Sequence, residues 1–108
     1  YESLGPGVFF LVVVVTAPVL EELVFRGFLY KGLRHSMLGP WGAVALASIG
    51  WAVSHAQYGG AGMTTVFVAG LLLGMARWRT GSLFVAIGLH ALINLAAGMQ
   101  TALAVSGN

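Results

Sequence analysis

Two neighbouring carboxylates and an arginine, in the segment LEELVFRG at residues 20–27, are the first side chains in this chain that could perform chemistry. Glu22 and Arg26 are four residues apart, so on a helix they lie on one face and can form an ion pair. The same spacing relates His90 to Asn94. A carboxylate in a poorly hydrated cavity can act as a general base toward water, while His and Asn donors can stabilise an oxyanion.

Several other hydrolytic mechanisms are excluded by what the sequence lacks. It contains no cysteine, no aspartate, no G-x-S-x-G segment and no H-E-x-x-H segment. These absences remove the cysteine nucleophile, the serine elbow and the helical zinc-protease motif. Water activated by Glu21, with or without a metal ion, is the chemistry that remains. If a metal takes part, zinc is the candidate, with Glu21, His55 and His90 as its three ligands.

The composition indicates a membrane protein. The 108 residues are 58% hydrophobic and 7% charged, whereas soluble domains carry about 25% charged residues. Residues 36–76 and 80–108 contain no Asp, Glu, Lys or Arg, and a spanning helix needs roughly 20 apolar residues. We therefore predict an all-α fold, a polytopic bundle of about four transmembrane helices surrounded by membrane lipid. The net charge of +2 does not indicate nucleic-acid binding, because the basic residues form small clusters at helix ends.

Proline, glycine and serine divide the chain into four predicted helices. Pro18 predicts a kink, Pro40 suits the first turn of a helix, and Ser82 suits an N-cap. The predicted helices cover about residues 6–34, 40–58, 63–78 and 82–104. No linker is visible, so residues 1–108 form one membrane-embedded unit, which we expect to be part of a longer protein because it starts on Tyr1 rather than Met.

The basic residues predict the orientation of the bundle. Lys31 and Arg34 end the first helix, and Arg77 and Arg79 end the third. In an alternating bundle both ends lie on the same side of the membrane, and the positive-inside rule makes that side cytoplasmic. We therefore expect the loops at residues 31–39 and 77–81 to be cytoplasmic.

Polar residues inside the predicted spans reach a similar depth. Counted from the cytoplasmic helix ends, Glu21 lies about 20 Å deep, His55 about 22 Å, His90 about 12 Å and Asn94 about 18 Å. A single His, Asn or Glu–Arg pair in a membrane helix is more often a structural hydrogen-bonding group than a catalytic one. Their coincidence at one depth favours function, because each is costly there alone. We expect these four residues to line one cavity.

Three short segments resemble the motifs of one family. EELVFRG resembles the EExxxR motif of the CPBP family, which includes CAAX proteases, bacteriocin-processing enzymes and Abi-like proteins. WAVSH resembles its second motif, an aromatic residue followed four positions later by His, and HALIN resembles its third motif, HxxxN. The resemblance covers about residues 16–98. The second motif commonly begins with Phe, whereas here it begins with Trp51.

This resemblance implies an intramembrane endopeptidase with a CAAX-protease-like core. Glu21 matches the carboxylate that activates water, His55 matches its partner, and His90 and Asn94 match the groups that stabilise the oxyanion. Glu22 and Arg26 match the rest of the first motif, as a pair that orients Glu21.

The resemblance also implies a class of substrate and a location. The substrate would be a prenylated protein or a bacteriocin-like peptide, cleaved in a bacterial plasma membrane. The family has been described both as metalloproteases and as metal-independent glutamate-type proteases, so the cofactor stays open, as does the oligomeric state. The competing hypothesis is a non-enzymatic membrane protein, such as an immunity protein, a scaffold or a small transporter, that uses the same polar cluster.

Overall fold

The computed structural model describes residues 5–107 as helices joined by short turns, with no strand among those residues. The four long helices are α1 (Pro6–Arg34), α2 (Gly39–Val53), α3 (Gly59–Thr80) and α4 (Leu83–Ser106). Both α1 and α4 are long and apolar enough to cross a membrane, as is α3 together with the short 3-10 turn Ala56–Tyr58 before it. The all-α membrane bundle is therefore confirmed.

The first helix contains two π-helical segments. It is α-helical over Pro6–Leu11, Ala17–Glu22 and Tyr30–Arg34, and π-helical over Val12–Thr16 and Leu23–Leu29. A π-helical turn widens the helix and shifts the face on which later side chains emerge. Pro18, where the sequence predicts a kink, is the second residue of the α-helical segment that follows the π-helical segment Val12–Thr16. The two glutamates of the first motif thus lie on a short α-helical segment between two wide turns.

The second helix ends earlier than the sequence predicts, at Val53 rather than near Tyr58, and α3 begins at Gly59 rather than Met63. The cause is competition for one acceptor. The carbonyl of Trp51 accepts from Ser54 Oγ at 2.6 Å and lies 2.7 Å from His55 Nδ1, so side chains occupy the oxygen that a continuing helix would use. The backbone N–H of His55 bonds instead to Ala52 O. His55 therefore lies in the turn and not within a helix.

Glycines let α2 and α3 approach closely. A Cβ at Gly74 would lie 2.7 Å from Val44 Cγ1, and a Cβ at Gly70 would lie 3.1 Å from Ser48 Cβ. In the sequence, the spacing of Gly70 and Gly74 predicts close helix packing, and the structure confirms this prediction. Two further local predictions hold: Pro40 lies in the first turn of α2, and Ser82 caps α4 by accepting from the N–H of Val85.

Candidate functional site

The carboxylate of Glu21 lies between two histidines that come from different parts of the fold. Its Oε1 is 3.4 Å from Nε2 of His55, in the turn after α2, and its Oε2 is 3.7 Å from Nε2 of His90, on α4. The side chain of Glu21 is 28% exposed and that of His55 is 17% exposed, whereas His90 is buried. The carboxylate is therefore partly accessible from outside the bundle, whereas the second histidine is enclosed.

The other ring nitrogen of each histidine defines its tautomer. His55 Nδ1 lies 2.7 Å from the backbone carbonyl of Trp51, and His90 Nδ1 lies 2.8 Å from Oε2 of Glu22. Both partners are acceptors, so each Nδ1 carries the hydrogen and donates it. In a neutral imidazole the Nε2 that faces Glu21 is then an acceptor. Each Nε2 then faces a carboxylate oxygen of Glu21, and both atoms of each pair are acceptors. A water molecule can bridge such a pair by donating one hydrogen to each atom.

A buried ion pair supports the second histidine. Arg26 Nη1 lies 2.9 Å from Oε2 of Glu22, and Arg26 Nη2 donates to the carbonyl of Gly70 at 2.9 Å. Both charged side chains are almost completely buried. The predicted i,i+4 ion pair is present, and its direct contact is with His90 rather than Glu21. The pair therefore orients the imidazole through its Nδ1, as carboxylates orient functional histidines in other sites.

Trp51 contacts four ionisable side chains of this site. Its indole N–H donates to Oε1 of Glu21 at 3.1 Å. Its ring lies edge-on to His55 and His90, with centroids 5.4 and 5.0 Å away, and the guanidinium carbon of Arg26 lies 4.5 Å from its centroid. Spacing alone places the indole beside His55; the hydrogen bond to Glu21 depends on how α1 and α2 pack and is not visible in the sequence.

Asn94 makes its hydrogen bond to the backbone of α1. Its Nδ2 donates to the carbonyl of Val13 at 2.9 Å. In the π-helical segment the N–H of Ala17 bonds to Val12 O, so the next bond of that series would join residue 18 to Val13 O. Pro18 has no N–H, and the Asn94 amide supplies the missing donor. One amide N–H and the Oδ1 of Asn94 are left for other partners.

The three candidate metal ligands do not form a metal-binding group. Among residues 5–107, no three His, Cys, Asp or Glu side chains are arranged so that they could hold a metal ion. Glu21 approaches the two histidines through different oxygens, Oε1 for His55 and Oε2 for His90. Zinc held by Glu21, His55 and His90 stays a prediction, and so does a mechanism that uses only the side chains of the chain and water.

A family model described as "Type II CAAX prenyl endopeptidase Rce1-like" matches residues 3–96. The chain belongs to this family. The match includes every residue of the three motifs, and it favours a peptidase over the non-enzymatic alternative. No curated protein and no solved structure matches the chain. At the level of its family, the Rce1-like chain is a CAAX-type intramembrane endopeptidase, while the catalytic roles of Glu21, His55, His90 and Asn94 stay predictions.

Proposed function

We propose that this Rce1-like chain hydrolyses peptide bonds within the membrane, with Glu21 as the general base toward water. The observation that carries the proposal is the pair of imidazole Nε2 atoms, on His55 and His90, that face separate oxygens of one accessible carboxylate. A carboxylate and a neutral imidazole together can hold a water molecule through its two hydrogens. The remaining lone pairs of that water are then free to attack a carbonyl carbon.

The proposed reaction has two proton transfers. As the water oxygen bonds to the carbonyl carbon, Glu21 takes one of its protons and the carbonyl oxygen becomes an oxyanion. When the carbon–nitrogen bond breaks, Glu21 returns that proton to the leaving amine, and the carboxylate is regenerated. His55 keeps the water aligned through Nε2, because its Nδ1 hydrogen is held by the Trp51 carbonyl. General acid–base catalysis of this kind contributes roughly 10²–10⁴-fold to a rate.

His90 and Asn94 are proposed to stabilise the oxyanion. His90 already donates from Nδ1 to Glu22, so the neutral form that accepts through Nε2 cannot donate to an oxyanion. Donation from Nε2 requires the imidazolium, which would lie between the carboxylates of Glu21 and Glu22. Asn94 can donate through the amide hydrogen that Val13 O does not use. This division gives Glu22 and Arg26 a role in positioning His90.

We propose a prenylated protein or a bacteriocin-like peptide as substrate, in a bacterial plasma membrane with residues 31–39 and 77–81 on the cytoplasmic side. An apolar groove of about 330 Å³ lies where α2 ends and α3 begins, beside the turn that carries His55. Its lining residues are Ile49, Ala52, Val53, Gly60, Met63, Thr64 and Phe67. An apolar groove at this end of the bundle supports a substrate that carries a lipid or an apolar segment.

The decisive experiment compares single variants of the protein in proteoliposomes. Two fluorogenic peptides, one prenylated near its C-terminus and one unmodified, separate the two substrate classes. Glu21→Gln and His55→Ala should abolish cleavage while the protein still folds. His35→Ala is the matched control, because His35 is exposed and bonds to Arg34 away from the site. Wild-type cleavage rates for Glu21→Gln would disprove the proposed mechanism.

The metal question is tested in the same assay. If Glu21 and the two histidines act on water without a metal ion, cleavage should persist after prolonged dialysis against a strong chelator, followed by metal analysis of the sample. Loss of cleavage that is restored by Zn²⁺ would show that a metal takes part.

A further inference from the structure

A second polar cluster lies at the C-terminal end of α1. Here the ring of Tyr30 is approached by two arginines from different helices: the guanidinium carbon of Arg34 lies 6.0 Å from the ring centroid, and that of Arg77, on α3, lies 5.3 Å from it. Tyr30 itself is completely buried. We refer to Tyr30, Arg34 and Arg77 as the Tyr30 cluster.

The Tyr30 cluster has no negative partner within the described part of the chain. The carboxylates there are Glu21 and Glu22, and both belong to the site around the histidines. Arg34 donates to His35 Nε2 at 3.3 Å, which is a neutral acceptor at most. Two cationic groups that share one aromatic ring without a carboxylate between them favour an anion from outside the chain.

Two donors of the cluster lack an acceptor. Within residues 5–107, the hydroxyl of Tyr30 and the Nε of Arg77 are buried and have no hydrogen-bond partner. Buried polar groups are almost always hydrogen-bonded, because leaving one unpaired costs free energy. The chemistry that would satisfy these donors is an oxyanion with several acceptor oxygens, and phosphate matches the fork of an arginine in both charge and shape.

The position of the cluster indicates where such a phosphate comes from. Tyr30 and Arg34 lie within the last five residues of one candidate span, and Arg77 lies three residues before the end of another. Trp78 packs against the core cluster that contains Tyr30, and its ring meets that of Trp41 edge-on, with centroids 4.6 Å apart. Tryptophan and tyrosine are enriched where helices leave the hydrocarbon region and enter the headgroup layer. These features favour the depth of lipid phosphates for the Tyr30 cluster.

We propose that the Tyr30 cluster binds the phosphate of an anionic phospholipid, held between the guanidinium groups of Arg34 and Arg77 with the Tyr30 hydroxyl as a third donor. Basic pockets between membrane helices are a known means of binding acidic headgroups. Because Tyr30 also packs on Ala43 and Val44 of α2, a lipid bound here ties α1, α2 and α3 together at one end of the bundle. This binding does not depend on the proposed peptidase mechanism.

The test measures how phosphatidylglycerol raises the thermal unfolding temperature of the protein in a zwitterionic detergent. For Arg77→Gln we expect the half-saturating lipid concentration to rise about tenfold or more, the usual effect of losing a hydrogen bond between charged groups. Arg79→Gln is the matched control, because it removes the same charge two residues away, from an exposed arginine that lies over Trp78 instead of Tyr30. It should change that concentration less than twofold.

Tyr30→Phe provides a second variant that is expected to fold, because the hydroxyl it removes makes no hydrogen bond within the described chain. Without lipid it should keep or slightly raise the unfolding temperature, because it removes an unpaired buried hydroxyl, and it should weaken the response to phosphatidylglycerol. Phosphatidylcholine, which has the same phosphate but no net charge, should give a smaller shift, and inorganic phosphate should give none.

Three outcomes would overturn the proposal. Equal weakening by Arg79→Gln and Arg77→Gln would show general attraction to basic surface residues rather than a site. Stabilisation by inorganic phosphate as strong as that by the lipid would assign the cluster to a soluble anion. An unchanged lipid response in both Tyr30→Phe and Arg77→Gln would place the bound lipid elsewhere.

Discussion

The indole N–H of Trp51 and the catalytic candidate Glu21 are joined by a hydrogen bond of 3.1 Å, made to the same carboxylate oxygen that lies 3.4 Å from His55 Nε2. A phenylalanine, the residue that commonly begins the second motif in the family that the sequence resembles, has no donor for this bond. In this chain the carboxylate is therefore fixed by a side chain from α2 as well as by its own helix. A fixed carboxylate needs less reorganisation to accept a proton in the transition state.

Trp51→Phe should lower kcat by roughly tenfold or more while leaving KM nearly unchanged, because it removes one hydrogen bond to a charged group and keeps an aromatic ring against the histidines. The measurement is steady-state cleavage of the best peptide substrate, together with thermal unfolding. Trp41→Phe is the control, since Trp41 is exposed and lies away from Glu21. An unchanged kcat for Trp51→Phe would mean that this hydrogen bond does not position the base.

The sequence predicts which residue types form the site better than it predicts the contacts that hold those residues in place. The residue types and the i,i+4 spacings are enough to predict the Glu22–Arg26 ion pair, because both partners are on one helix and local geometry determines their approach. The contact of His90 with Glu22 and the bond of Trp51 to Glu21 join residues 68 and 30 positions apart. Such contacts depend on helix packing and register, which two π-helical segments in α1 alter without a signal in composition.

The end of α2 shows a second limit of sequence reasoning. Hydrophobic pattern extends the helix to about Tyr58, since no proline or charge interrupts it earlier. The helix instead ends at Val53, because Ser54 and His55 direct their side chains to the Trp51 carbonyl. A Ser-His pair that competes for a backbone acceptor is a local signal, and it could have been used to place His55 in a turn.

Arg26→Ala should destabilise the folded protein by about 3–5 kcal/mol, because it leaves the buried Glu22 carboxylate without its cationic partner. The check is thermal unfolding and the yield of monodisperse protein in detergent. Arg79→Ala serves as the control, since that arginine is exposed and has no carboxylate partner in residues 5–107. Normal stability of Arg26→Ala would show that the ion pair contributes little.

The double variant Glu22→Gln with Arg26→Met should recover much of that stability, because replacing both charges removes the unpaired ion. Its kcat should nevertheless stay low, because the neutral amide introduced by Glu22→Gln no longer offers a charge to the imidazole of His90. Recovery of both stability and kcat would mean that Glu22 acts only as a partner for Arg26.

Gly70→Ala should disturb the site through packing alone. Its Cβ would lie 2.9 Å from Arg26 Nη2 and 3.0 Å from Trp51 Cε3, and overpacking of this kind costs about 1–3 kcal/mol. We expect a lower unfolding temperature and reduced cleavage. Gly88→Ala is the matched control within a helix, because no atom lies within 4 Å of its added Cβ, and alanine favours a helix over glycine by about 0.5–1 kcal/mol. Equal behaviour of the two variants would contradict the close approach at Gly70.

Asn94 should have two separable roles, one in the backbone of α1 and one in catalysis. Asn94→Ala leaves the Val13 carbonyl without the donor that replaces the missing N–H of Pro18, so it should lower stability by about 1–3 kcal/mol. In that background Pro18→Ala restores a backbone N–H that can bond to Val13 O in the π-helical register. The double variant should therefore unfold at a higher temperature than Asn94→Ala alone.

Cleavage should respond differently from stability in the same pair of variants. Removal of an oxyanion donor lowers kcat by roughly 10²–10³-fold, and a backbone N–H at residue 18 cannot replace that donor at the substrate. We therefore expect the Pro18→Ala, Asn94→Ala protein to be stable and still nearly inactive. If kcat recovers together with stability, Asn94 acts only by holding α1, and the oxyanion role is wrong. If stability does not recover, the Asn94–Val13 bond is not a substitute for the Pro18 N–H.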